Sequence, residues 1–222
     1  MPDRPDKGTG PERRVTSSGP LGMVVVISGP SGVGKSTICR RLLGRIPDAF
    51  LSVSCTTRTP GPGEVDGKDY WFIDRQQFED GIRSGRFLEY AEVFGNLYGT
   101  PREPIQKAIQ QGKVVVLEID VQGGSQVKKV FPEAVLIFIM PPKEQALEDR
   151  LFGRAREDKA TMERRLQQAR KEIDAARRLY DHFVVNDELD KAVDEIVTII
   201  EDRRRAVRSG LVEKSDDRGT QE

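Results

Sequence analysis

Met23-Val-Val-Val-Ile27-Ser-Gly29-Pro-Ser-Gly-Val-Gly-Lys35-Ser36 is, in order, a β-branched run, a glycine-punctuated turn and the opening of a helical pattern. The run Met23 to Ile27 has no polar alternation, which predicts a strand buried on both faces of a parallel sheet. The turn fits G-x-x-x-x-G-K-[ST]. Its glycines let backbone N–H groups point inward at phosphate oxygens, and the helix N-terminus behind them adds a favourable partial charge. The pattern predicts a nucleoside triphosphate site formed by Gly29, Pro30, Ser31, Gly32, Val33, Gly34, Lys35, Ser36 and Thr37. Lys35 would neutralise the outer phosphates, and the Ser36 hydroxyl would join the shell of a Mg²⁺ ion carried by the nucleotide. The competing reading is an ordinary glycine-rich turn; the strand before it and the helix after it weigh against that.

Outward from this stretch, helix-like periodicity runs from Ser36 to Arg45 through Ile38, Leu42 and Leu43, and Pro47 ends it. Further buried strands are predicted at Val114 to Ile119, Val135 to Met140 and Phe183 to Val185, each separated from the next by a helical pattern. The segment Glu144 to Tyr180 is strongly helical and carries one stripe: Met162, Leu166, Ala169, Ile173, Ala176 and Leu179. Leu189 to Val207 is a closing amphipathic helix. This alternation predicts an α/β fold, a parallel sheet flanked by helices. Residues 51–100 break the pattern. Strand-like pieces (Leu51 to Thr57, Tyr70 to Ile73), the turn Thr59-Pro-Gly-Pro-Gly63 and a short helix, Arg75 to Ser84, predict a small mixed lobe. Expected boundaries are a disordered tail over 1–20, a domain over 21–207 with the lobe at about 54–103 and a helical lid at about 144–170, and a polar tail over 208–222.

Composition narrows the class. The 222 residues carry 36 basic and 36 acidic side chains, so overall charge argues for neither a nucleic-acid nor a membrane partner. The apolar stretches are too short to cross a bilayer. Cys39 and Cys55 have no metal-ligand spacing, and a reduced, cytoplasmic setting is the expectation. Oligomeric state is left open between monomer and homodimer.

The middle of the chain says more. Ser52-Val-Ser54-Cys-Thr-Thr57-Arg58-Thr-Pro60, Gly63-Glu64-Val-Asp-Gly67-Lys-Asp69-Tyr70, Phe87-Leu-Glu89-Tyr, Tyr98-Gly99-Thr100, Leu117-Glu-Ile-Asp120-Val-Gln122-Gly123 and Val185-Asn186-Asp187 follow one another in an order that resembles guanylate kinases. The likeness spans Met23 to Ile200. It implies the P-loop nucleoside monophosphate kinase fold and ATP-dependent phosphorylation of GMP, and of dGMP, with Mg²⁺. By the same resemblance, Arg58 and Tyr70 would hold the GMP phosphate, and Ser54, Glu89 and Thr100 would face the guanine edge. Asp120 would lie near the base or the metal-bound phosphates, and Glu64 and Tyr98 complete the GMP set. Arg150, Arg154 and Arg165 would close from the lid over the transferring group, joining Lys35 and Arg58 in catalysis. Chemistry makes sense of these types. Guanine presents N1–H and N2–H side by side, which one carboxylate accepts, while O6 takes a hydroxyl donor. Arginine is the expected phosphate clamp because its planar fork gives paired, charge-assisted bonds.

Two departures stand out. Guanylate kinases carry a second phosphate-binding arginine in T-R-x-P-R, where this chain has Gly61; Lys68 or Arg102 would have to substitute, or GMP binding weakens. The lid reads Gly153-Arg-Ala155-Arg, without a second glycine. Glu118 and Asp120 close an apolar strand, where α/β ligand sites lie. Blander readings sit beside the sharp ones: Arg58 as a solvated loop residue, Glu89 as a surface helix carboxylate, Arg150 and Arg154 as a solvated face, and Glu118 as a buried structural acid. His182, Trp71 and Tyr90 are expected to pack, and Cys39 and Cys55 to act as small apolar groups. Two rival functions remain: a non-catalytic peptide-binding relative, against which the intact Lys35 and Ser36 speak, and a kinase for another small acceptor, against which Ser54, Glu89 and Thr100 speak.

Overall fold

A computed structural model of the chain describes residues 22–143 and 159–209, the side chains of 159–162 and 165 excepted. Strand β1 (Met23–Ser28) lies in the middle of a five-stranded, all-parallel sheet. On one side of it come β7 (Val114–Glu118) and β2 (Ala49–Leu51), on the other β8 (Val135–Met140) and β9 (His182–Val185). Val25 pairs with Val116 on one flank and Val135 on the other, so no polar side chain could be accommodated there. The unbroken β-branched run is the consequence.

Because successive side chains alternate between faces, β1 feeds two cores. Val25 and Ile27 pack with Ile38 and Leu42 of α1 (Lys35–Arg45) and Val193, Ile196 and Ile200 of α6 (Leu189–Arg208). Val24 and Val26 pack under α3 (Arg102–Gln110) and α4 (Val121–Val130), with Ala176 at the end of α5 (Lys159–Ala176) and Tyr180 just beyond it. All of the parallel strands therefore end at one edge, where loops between strand and helix form a crevice suited to ligands.

The second layer is a four-stranded sheet ordered β4 (Trp71–Phe72), β3 (Cys55–Thr56), β6 (Asn96–Pro101) and β5 (Phe87–Val93). Phe78 of α2 (Arg75–Arg83) stacks on Phe87 with centroids 4.4 Å apart, and Cys55 and Leu97 complete this small core. Helix α2 starts at a capping box in which the Asp74 carboxylate accepts the Gln77 N–H and the Gln77 side chain accepts that of Asp74.

Several expectations need correction. Leu51 to Thr57 is not one strand: β2 belongs to the parallel sheet and β3 to the small one, and residues 52–54 cross between them. Ser52 still donates to the Val116 carbonyl, whereas the Ser54 carbonyl already accepts from Trp71. Phe87 to Pro101, which carried no strand expectation, is a hairpin. Its two-residue turn puts Phe94 at φ 49° and Gly95 at 81°, the pair of left-handed conformations that a tight hairpin needs. Leu43, Trp71 and Tyr90 are exposed rather than packed, because Leu43 points off the buried stripe of α1 and Tyr90 alternates outward beside inward Glu89. His182 opens the edge strand β9 and is exposed too. Cys39 and Cys55 are free and buried, and burial pushes both thiols up, Cys55 to about 11.

Candidate active site

Gly32 and Gly34 have φ of 83° and 102°, a region that other residues seldom enter. A Cβ at Gly29 would lie 2.6 Å from the Ile139 carbonyl oxygen. The turn can thus pass tightly from β1 into α1, which starts at Lys35 with Gly34 as N-cap and no side-chain cap. Its first N–H groups are left for an anion. Lys35 Nζ donates to the Gly29 and Pro30 carbonyls at 2.6 and 3.1 Å. Burial pulls the Lys35 ammonium pKa down; Glu118 and Glu172 nearby oppose that.

Ser36 Oγ donates to Glu118 Oε1 at 2.6 Å, so the acid ending β7 stands directly behind the cradle hydroxyl. Both are hard oxygen donors, the type that Mg²⁺ prefers while keeping waters and nucleotide oxygens as its remaining ligands. The residues fit the ion. Asp120 caps α4, accepting the Gly123 N–H at 2.8 Å. The half-buried Glu172 of α5 is raised by its burial, with Lys35 pulling the other way.

Three buried hydrogen bonds brace the cradle. Asn186, just after β9, donates to the Val33 carbonyl at 2.8 Å. The Tyr180 hydroxyl donates to Ser28 Oγ at 2.5 Å, and Ser28 donates to the Ile119 carbonyl at 2.7 Å. Space for these links comes from α4, where a Cβ on Gly124 would collide with the Tyr180 hydroxyl, and one on Gly123 with the Glu89 carboxylate.

Across the crevice, Ser54, Glu89 and Thr100 come together as the sequence led one to expect. Thr100 Oγ1 donates to Glu89 Oε1 at 2.5 Å, and Ser54 Oγ lies 3.4 Å from Thr100 Oγ1. Glu89 lies on β5 and is 4% exposed, so it is not a surface helix carboxylate. Burial pushes its carboxyl up to about 7; the Thr100 hydrogen bond restrains this and Asp120 adds to it.

A second cluster surrounds Arg58. Its guanidinium meets Glu64 through two bonds, 2.9 and 2.7 Å, and donates to the Thr59 carbonyl at 2.9 Å. It lies 5.5 Å from the Tyr70 ring centroid and 5.8 Å from that of Phe72, and the rings of Tyr70 and Tyr98 are 5.8 Å apart. The Glu64 bond holds the Arg58 charge far above its ordinary range, with Tyr98 adding to it, and holds the Glu64 carboxyl low. Burial raises the Tyr70 phenol to about 12. Gly61 donates its N–H to Glu64 Oε2 at 2.6 Å. Arg102 donates to the Phe87 carbonyl at 3.1 Å, which engages it away from the place of the absent arginine, and Lys68 is exposed.

Arg150 and Arg154 lie outside the described residues; Arg165 lies on α5, its side chain likewise outside them. Glu118 ends an apolar strand at the crevice edge, a position that pointed to the site from sequence alone. Asn186 and Tyr180 were not singled out for it beforehand, although Asn186 follows a parallel strand in the same way. Glu172 gave no signal among the many charges of its helix. Among the described residues no helix is long and apolar enough to cross a membrane.

Known proteins resemble this arrangement. The guanylate kinase family profile matches residues 22–203. A guanylate kinase of Corynebacterium jeikeium is 50% identical over 181 residues, covering 81% of this chain and 96% of the relative. One from Synechococcus sp. is 49% identical over 173 residues, 78% of this chain and 94% of the relative. The crystal structure of guanylate kinase from Anaplasma phagocytophilum superposes with a TM-score of 0.70 at 34% identity, covering 85% of this chain and 89% of that one.

Proposed function

The chain belongs to the guanylate kinase family, and from that premise we infer that it transfers the γ-phosphoryl group of ATP to GMP, giving GDP and ADP. It is a nucleotide kinase of purine metabolism, which we place in the cytoplasm with GMP, dGMP and MgATP as its ligands and neither nucleic acid nor membrane as partner. The observation that carries this reading is the meeting, in one crevice, of a phosphate cradle (Lys35, Ser36) and a buried carboxylate–hydroxyl cluster (Glu89, Thr100, Ser54).

Each cluster has a task. The turn Gly29 to Thr37 binds the ATP phosphates through backbone N–H groups, and Lys35 exchanges its bonds to the loop's own carbonyls for phosphate oxygens. Ser36, backed by Glu118, would offer an oxygen to the Mg²⁺ ion that accompanies ATP, and that ion would supply positive charge beside the phosphates. Glu89 accepts guanine N1–H and N2–H, while the Ser54 and Thr100 hydroxyls face O6. Arg58, Tyr70 and Tyr98 hold the acceptor phosphate, with Glu64 fixing the orientation of Arg58 and Asp120 standing between the two pockets. Phosphoryl transfer needs alignment and charge more than covalent help. The acceptor phosphate is already anionic near neutral pH, so no general base is required. Arg150, Arg154 and Arg165 are assigned to the closing lid, which would add cationic charge and exclude water.

A coupled assay with ATP against GMP, dGMP, AMP, CMP and UMP tests this. Turnover is expected with GMP and dGMP and at least a thousandfold less with AMP, a discrimination that buried polar mismatches readily supply. No turnover with any acceptor would point to a binding module, and turnover without GMP to another acceptor.

Gly61 makes its own prediction. A Cβ there would lie 3.1 Å from Glu64 Oε2 and 3.7 Å from Arg58 Nη1, beside the phosphate clamp. Gly61→Arg is expected to lower KM for GMP by about ten- to a hundredfold, the worth of one charge-assisted bond to phosphate, with kcat little changed. An unchanged KM would show that the clamp is complete without it.

A further inference from the structure

Helix α1 sends two side chains toward the crevice, one turn apart. Ser36 reaches Glu118, and Arg40, four residues along the same helix face, reaches across to the small lobe. There its Nη2 meets Asp69 Oδ1 at 3.1 Å. Asp69 is held for this encounter. Its other carboxylate oxygen accepts the Val65 N–H at 2.9 Å, its own N–H donates to the Val65 carbonyl at 3.0 Å, and its side chain is 20% exposed. The turn so braced has Glu64 at one end and Tyr70 at the other, the two residues that position Arg58. A second tie between core and lobe is neutral: the Gln126 amide on α4 donates to the Tyr90 carbonyl at 2.7 Å and accepts the Tyr90 N–H at 3.3 Å. One mooring is therefore insensitive to salt and the other is not.

We propose that Arg40 and Asp69 are positioning residues, an ion pair across the crevice that sets how closely the acceptor-phosphate pocket approaches the phosphate cradle and thereby tunes GMP affinity with ionic strength. The proposal rests on the assignment of the lobe to GMP. An exposed pair biases a two-state arrangement by a factor of roughly 1.5 to 5. Salt weakens it, because charges are screened over about 3 Å at 1 M but about 10 Å at 0.1 M.

The test is steady-state kinetics of wild type, Arg40→Gln, Asp69→Asn and the double variant at low and high salt. Arg40 is 68% exposed, so its replacement leaves the fold intact, and Asp69→Asn keeps an oxygen for the Val65 N–H. At low salt each single variant is expected to raise KM for GMP about two- to fourfold, leaving kcat and KM for ATP unchanged. The double variant should be no worse than either single one, wild type should approach the variants at high salt, and Arg40→Lys should restore most of the loss. Asp69→Asn is decisive. If Arg40 merely attracts an anionic substrate, removing the nearby negative charge lowers KM for GMP instead of raising it. Opposite signs for the two variants, or additive losses in the double variant, overturn the proposal. Wild-type turnover with GMP in the same assay separates this from a failure of the functional assignment: absence of that turnover would overturn both.

Discussion

Glu89→Gln is expected to lower kcat/KM for GMP by at least a hundredfold and to erase most of the preference for GMP over AMP, while KM for ATP stays near wild type. The substitution preserves shape and an acceptor for the Thr100 hydroxyl, so the loss isolates the charge and the second acceptor oxygen. A site built around a substrate's hydrogen bonds typically discriminates by roughly 10⁴, and an amide donor facing guanine N2–H or N1–H forfeits much of that. Acidity provides a second readout. With its carboxyl at about 7, Glu89 must lose a proton before it can accept from guanine. KM for GMP should therefore fall as pH rises from 6 to 8 and level off above that. The GMP phosphate itself titrates near pH 6, so the slope that vanishes in Glu89→Gln is the part that belongs to Glu89. The sign for folding follows as well. A folded pKa raised from 4.5 to about 7 means that the group's contribution to stability is complete below pH 4.5 and is lost as pH climbs through 7. The variant should accordingly melt higher than wild type at pH 8 in the absence of nucleotide. Equal losses for GMP and AMP would remove Glu89 from base reading.

Lys35→Ala is expected to reduce kcat by roughly 10²- to 10³-fold, the scale for deleting one preorganised group that stabilises transition-state charge. The fold should survive. Lys35 Nζ bonds to carbonyls of its own turn, and its buried charge disfavours the empty state rather than supporting it, as its lowered pKa records. Circular dichroism and a melting curve would check the fold beside the kinetics. Retained turnover in a folded variant would take the cradle out of the mechanism.

The features read correctly from sequence were those in which local pattern and burial agree. Met23 to Ile27 has neighbours on both flanks and no polar alternation, so nothing but a central strand suits it. Val135 to Met140 is bounded by Pro141, and its ends coincide with those expected. The hairpin holding Glu89 was hidden because its turn is Phe94-Gly95; a bulky residue at positive φ masks the usual asparagine–glycine signature. The division of residues 51–57 between two sheets was invisible for a different reason. Which sheet a strand joins depends on partners more than forty residues away, Val114 to Val116 for one and Tyr98 to Gly99 for the other. Within the site, Ser54, Glu89 and Thr100 were legible because the motifs that carry them resemble those of guanylate kinases, and the structure brings the three side chains together. Tyr180 and Glu172 were not, since a tyrosine just past a helix or an acid among many acquires meaning only from what it faces.

The adjacent glycines of α4 leave the protein with an unusual fragility. One extra methyl at residue 123 would jostle the carboxylate to which we assign the reading of the base, whereas the same methyl one position later would unseat the phenol that steadies the turn we assign to the donor. Alanine being the mildest replacement possible, neither position can drift by degrees. The two lesions, side by side in the chain, would damage opposite halves of the bimolecular reaction proposed here.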